Sequence, residues 1–189
     1  MKKLLVAVLA MGCLLAVPVA GNAQGLSYDV TAAIDLPMGD FGDVVGTGFG
    51  VGADVFFWSP ASMPELQVGG RAAFNLFTAE EQDFGFGTTV KTSANTIELM
   101  PSVRYTLPTS GNMTFFGQVG LGLFLVNAKV ETEGFFGAGE DTDSDTKIGL
   151  TLAGGATMPV GGRDLVIMPL LSLVEDTNYL GLNVGLVLK

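Results

Sequence analysis

The stretch GTGFGVGADVFFW at positions 46–58 decides the fold. Glycine occupies 46, 48, 50 and 52, and Phe49, Val51, Ala53, Val55 and Phe57 fill the gaps. An extended chain with this spelling carries large apolar groups on one face and almost nothing, or the charge of Asp54, on the other.

The same period of two recurs along the chain. In LSYDVTAAIDL (26–36) the residues Leu26, Tyr28, Val30, Ile34 and Leu36 oppose Ser27, Asp29, Thr31 and Asp35. Segment 66–77 sets Leu66, Val68, Phe74 and Leu76 against Gln67, Arg71 and Asn75, and 94–107 sets Ile97, Leu99, Val103 and Tyr105 against Thr96, Glu98, Ser102 and Arg104. Segments 114–126, 147–158 and 178–189 alternate in the same way, and 164–174 is apolar on both sides and reads as a strand by its length and position. Eight segments of roughly ten residues result, the length a tilted strand needs to cross a bilayer.

The N-terminus reads as an export signal. Lys2 and Lys3 precede the apolar run LLVAVLAMGCLLAVPVA, and Gly21-Asn22-Ala23 supplies a small-x-small cleavage triplet. We expect residues 1–23 to be a signal peptide and 24–189 to form one domain. Cys13, the sole cysteine, leaves with the signal, so disulfide and thiolate chemistry are not expected in the remainder. The net charge of −10 disfavours contact with nucleic acid phosphate. Mean hydropathy is +0.48, high for an exported domain. No segment after the signal reaches the roughly 20 apolar residues of a spanning helix, so the grease must be spread along strands.

Connections alternate in length. SPASMPE, PTSGN and PVGGRD are short and rich in Pro, Gly and Ser, as tight turns require. On the opposite side PMGDFGDVVG, TAEEQDFGFGTTVKTS and KVETEGFFGAGEDTDSDT are longer, with the brief EDT as the exception. An even strand count with turns on one side and loops on the other predicts a closed, antiparallel, up-and-down transmembrane β-barrel. Its narrow interior would take glycine and mixed charge, and its exterior the apolar set. Tyr28, Phe57, Trp58, Tyr105 and Phe115 are expected in the interfacial girdle on the turn side, with Phe49 and Phe74 toward the loops.

With alternation across the whole of 24–189 and LPMGDFGDVVGTGFGVGADVFF (36–57) as its first hairpin, the chain resembles the eight-stranded outer-membrane β-barrel domain family, which includes the OmpA transmembrane domain, OmpX and OmpW-like proteins. That resemblance implies an outer-membrane location, no cofactor, and contact with outer-membrane lipid and lipopolysaccharide. It also implies handling by periplasmic chaperones and the barrel-assembly machinery. Family barrels usually end in an aromatic residue, whereas this chain ends Val187-Leu188-Lys189.

Chemistry is sparse. Gly48-Phe49-Gly50-Val51-Gly52-Ala53 nearly spells a dinucleotide fingerprint, but that motif needs a helix after it, and strand alternation continues to Trp58. The chain has no histidine, which removes the usual general base and the commonest metal ligand. An enzyme is not expected. Asp54, Arg71, Glu98, Arg104 and Lys147 fall on the inward face and predict an ion-pair network in the lumen, read either as a polar plug that fixes register or as a gate. Asp141, Asp143 and Asp145 in the third loop share the spacing of a calcium loop, but Thr146 and Leu152 stand where that loop needs glycine and glutamate. Only a loose divalent site is open to them. Phe84, Phe86, Phe135 and Phe136 are candidate loop contacts for an external ligand of unknown identity.

Function is therefore expected to be structural or surface-interacting. A narrow pore or a route for small hydrophobic solutes is one alternative. A soluble, lipocalin-like periplasmic barrel, with its grease inside, is the other.

Overall fold

A computed structural model describes residues 26–188, apart from 84, 86, 87, 135 and 136. Eight strands run in order: β1 (Ser27–Met38), β2 (Val45–Trp58), β3 (Leu66–Asp83), β4 (Thr89–Leu107), β5 (Thr114–Gly134), β6 (Gly137–Val160), β7 (Arg163–Val174) and β8 (Asn178–Leu188). Each pairs antiparallel with its sequence neighbours, and β1 pairs with β8 over Tyr28↔Leu188 to Met38↔Asn178, so the sheet closes on itself. Among the described residues no helix is long and apolar enough to cross a membrane. Closure leaves no open sheet edge at the level of the bilayer, the condition lipid imposes on a strand protein.

Facing follows the alternation. Ile148 is 71% exposed, Phe49 55% and Leu182 48%, whereas Asp54, Glu98 and Arg71 on the opposite parity are 0%, 1% and 4% exposed. Aliphatic groups point out and charges point in, which overturns the lipocalin-like alternative. The outward grease is continuous through the ladder: Leu180 pairs with Leu36, Ile34 with Phe49, Phe49 with Leu76, and Ile97 with Leu125. Beneath this belt Phe57, Trp58, Tyr105 and Phe115 are exposed close to the short turns, where an interfacial girdle belongs. The β6–β7 turn is two residues, Gly161 and Gly162, with φ of 60° and 81°. Paired positive φ is the turn that follows strand twist, and glycine adopts it without strain.

Two predicted loops are largely strand. Segments 78–93 and 129–146 continue the ladder through Glu80↔Thr92 to Asp83↔Thr89 and through Lys129↔Thr142 to Gly134↔Gly137. They lack the outward apolar alternation because they stand above the belt, in water. β7 pairs with β6 only from Gly149↔Val174, so among the described residues β6 above that point has no strand partner on its β7 side.

β7 is apolar on both faces for a packing reason. Its inward residues Val166, Met168 and Leu170 join Phe116 in a buried cluster, with Ala153 and Val187 against it. The first external connection forms a short 3₁₀ turn, Gly39–Phe41, that sends Phe41 into the mouth. Phe41 meets Phe77 edge-on at 4.8 Å, and Phe77 meets Tyr179 at 5.4 Å. Val45, Met100, Phe124 and Val174 complete this apolar stopper.

Candidate functional site: the closed lumen and the external mouth

Arg71 organises the middle of the lumen. Its Nη1 meets Asp54 Oδ2 at 2.7 Å, its Nε faces Glu98 Oε2 at 3.5 Å, and its Nη2 donates to Asn183 Oδ1 at 3.0 Å. Arg71 reaches so far because β2 has no side chains in its way. A Cβ added at Gly52 would lie 3.2 Å from Arg71 Nη2 and 3.3 Å from Thr31 Oγ1, and one at Gly50 would collide with Asn75 Oδ1. The glycine face of the opening stretch is thus the space the polar network occupies.

Around Glu98 the hydrogen bonds converge. Asn75 Nδ2 lies 2.6 Å from Glu98 Oε1, 3.1 Å from Thr96 Oγ1 and 3.1 Å from Tyr179 OH, and the Tyr179 hydroxyl donates to Glu98 Oε1. Toward the turns Arg104 Nη1 pairs with Asp29 Oδ2 at 2.5 Å, while its Nε and Nη2 donate to Gln118 Oε1 at 3.0 and 2.8 Å. Gln118 Nε2 then donates to Asp54 Oδ1 at 2.7 Å, which joins the two arginine centres. The Arg104 guanidinium is also held between the rings of Phe56 and Phe116, 4.2 and 4.1 Å from their centroids. Asp35, 2% exposed, is the buried carboxylate for which no cation lies within ion-pair distance among the described residues.

Of the five network candidates, Asp54, Arg71, Glu98 and Arg104 come together. Lys147 does not. It shares their facing but sits at the external rim, donating to the Glu175 carbonyl at 2.8 Å and facing Asp176 at 3.5 Å. Parity gives a residue's face and not its height along the barrel. Asn75, Gln118, Tyr179 and Asn183 were not singled out from the sequence as site residues, although their inward parity was legible there.

Asp141, Asp143 and Asp145 are corrected from a loop to strand β6. Each is exposed, and each Oδ1 accepts the backbone N–H of the following residue, Thr142 at 2.9 Å, Ser144 at 2.9 Å and Thr146 at 2.7 Å. Alternate N–H groups share one edge of a strand. The three carboxylates therefore occupy a row of donors along a segment that lacks β7 as a neighbour. Among the described residues no group of three or more acidic side chains is arranged to hold a metal ion. Phe84, Phe86, Phe135 and Phe136 lie outside the described residues, as does the predicted signal peptide 1–23.

Above the belt, Lys129 bonds Glu131 and meets Glu140 at 3.2 Å, and Lys91 meets Glu81 at 3.4 Å. The hydrogen bond from Lys129 lowers the Glu131 carboxyl below its ordinary value, and the same bond raises Lys129. At the mouth, Phe41, Val45, Ala94, Val126 and Ala128 floor a concavity of about 230 Å³ rimmed by Asp143, Asp145, Lys147 and Asp176.

A closed strand barrel with a hydrocarbon-facing belt, girdle aromatics and a charged, filled interior defines an integral outer-membrane barrel. The model of the outer membrane protein beta-barrel domain matches residues 5–163, and the chain belongs to that family. Its place is the outer membrane. Among solved structures, the Neisserial surface protein NspA is similar over 89% of this chain and 99% of its own, at 18% identity and a TM-score of 0.55. Ail, the attachment invasion locus protein of Yersinia pestis, covers 86% of this chain and 97% of its own at 15% identity, TM-score 0.48. The outer membrane enzyme PagL covers 85% and 99% at 12% identity, TM-score 0.49. No curated protein matches the chain. The fold alone assigns no activity.

Proposed function

We propose that this is a non-enzymatic, non-conducting outer-membrane protein that works through its external surface. One observation carries the reading: the lumen is filled from Arg104 to the Phe41 stopper by buried, mutually bonded side chains. The β3–β4 and β5–β6 hairpins, by contrast, continue as sheet above the lipid belt. Residues 1–23 serve as the export signal, and the belt contacts outer-membrane lipid and lipopolysaccharide after delivery by periplasmic chaperones and the barrel-assembly machinery. The inward network is a plug that fixes register and not a gate.

Planar-bilayer recording of the refolded wild-type barrel tests this. No stepwise conductance is expected. Reproducible open states in the wild type would replace the surface reading with a pore. Arg71→Ala separates plug from gate, since a plug predicts a lower unfolding midpoint with silent bilayers, and a gate predicts new conductance.

A further inference from the structure

We propose that the external mouth is a binding site for a small organic cation with an apolar body, such as an aromatic or short alkyl amine. The inference rests on the surface reading above and names a ligand chemistry for it. The shape comes first. The concavity holds about 230 Å³, some seven or eight times the volume share of a liquid water and below the roughly 300 Å³ at which drug-sized sites begin. A ligand that fits is small.

The lining then divides by chemistry. Val126 and Ala128, half-buried on the wall, present apolar surface to the concavity, and Phe41, Val45 and Ala94 lie buried beneath them. Along one side stand Asp143, Asp145 and Asp176. Among the described lining residues Lys147 is the only cation, and it is already committed to the Glu175 carbonyl and to Asp176. Asp143 and Asp145 have no cationic partner among the described residues. Each spends Oδ1 on a neighbouring backbone N–H and keeps Oδ2 available. A concave site with apolar walls and one sign of charge concentrates counter-ions. A neutral apolar molecule would leave the carboxylates unused, and an anion would be repelled. An ammonium at the Asp143–Asp145 side with its ring or chain over Val126 and Ala128 uses both.

The full barrel in lipid nanodiscs, followed by amide NMR, tests the assignment with tryptamine as probe and indole-3-propionate as the control of equal body and opposite charge. Tryptamine is expected to give saturable shifts at the Val45, Val126 and Ala128 amides, and indole-3-propionate none. In Asp143→Asn/Asp145→Asn, whose amide oxygens still accept the backbone N–H groups, tryptamine should bind about tenfold more weakly, the loss expected from two partly screened charge pairs. Phe41→Ser gives a second arm, removing apolar floor while keeping the acids, and it too should weaken tryptamine. Equal response to both probes, no response to tryptamine, or unchanged affinity in the double variant would each overturn the proposal. The surface reading is decided separately by wild-type conductance, so the two fail by different signals.

Discussion

Strand β5 passes through two regions with opposite rules. At the belt its outward residues are Val119, Leu121, Leu123 and Leu125, and its inward ones include Gln118, bonded to Arg104 and Asp54. Above the belt the outward series becomes Asn127, Lys129 and Glu131, and the inward one becomes Val126, Ala128 and Val130. Polarity inverts while the pleat continues. A single strand geometry has taken whichever solvent it met, hydrocarbon below and water above, and the inner face changed to match what lies across from it: an ionic lumen at one level, an apolar mouth at the next.

The largest effect that would break this contrast is loss of the central cation. Arg71→Leu leaves Asp54 and Glu98 buried without their partner and should cost about 3–5 kcal/mol, read as a lower urea midpoint for the heat-modifiable band on gels. The combined change Asp54→Asn/Arg71→Met/Glu98→Gln removes the charges together and should recover most of that loss. Next, Gly50→Val drives a branched side chain into Asn75 and should cost roughly 1–3 kcal/mol by overpacking, whereas the same change at exposed Gly139, around which an added Cβ meets nothing, should leave the midpoint unmoved. Asp35→Asn relieves a buried carboxylate that lacks a cation, and the unfolding free energy should rise by about 1–3 kcal/mol, read as a higher urea midpoint.

The upper region answers with smaller and different signals. Asp141→Ala/Asp143→Ala/Asp145→Ala should leave barrel stability within about 0.5 kcal/mol, but it bares the N–H groups of Thr142, Ser144 and Thr146 on an unpaired edge. Self-association through β6, seen as chemically cross-linked dimers absent from the wild type, is the expected result. Smallest is the Lys129–Glu131 contact. Because Glu131 is lowered, its contribution is present above the ordinary carboxylate range and fades as pH falls through the lowered value. Because Lys129 is raised, its contribution holds below the ordinary lysine value and fades only as pH climbs through the raised one. Both groups are exposed, so the change should register as a side-chain NMR titration in the hairpin and not in global melting.

Much of the fold was legible because lipid enforces alternation so strictly. The parity of Leu180, Leu182 and Val184 alone turns Tyr179 and Asn183 inward. What parity omits is the stagger of one strand on the next, and the stagger decides that Arg71 reaches Asn183 while Lys147 reaches only the rim. The hairpin extensions were hidden for a related reason. Once both faces of Thr89–Ser93 or Lys129–Glu133 are wet or only partly covered, the apolar period that marks a strand disappears, although the hydrogen-bonded ladder does not. Phe41 was unreadable as a stopper, since its role depends on a 3₁₀ turn that folds it back over the opening.

Arg71, on the third strand, and Thr31, on the first, both donate to Asn183 on the eighth. Thr31 thus joins the first strand to the last directly, and Arg71 ties the last strand to the middle of the sheet through the same acceptor. Peeling away the last strand would break β8 from β1 and cost Arg71 its Asn183 acceptor in the same step, so the cylinder has no weak seam at which to start unzipping. Denaturation should accordingly run as a single event with no half-opened species.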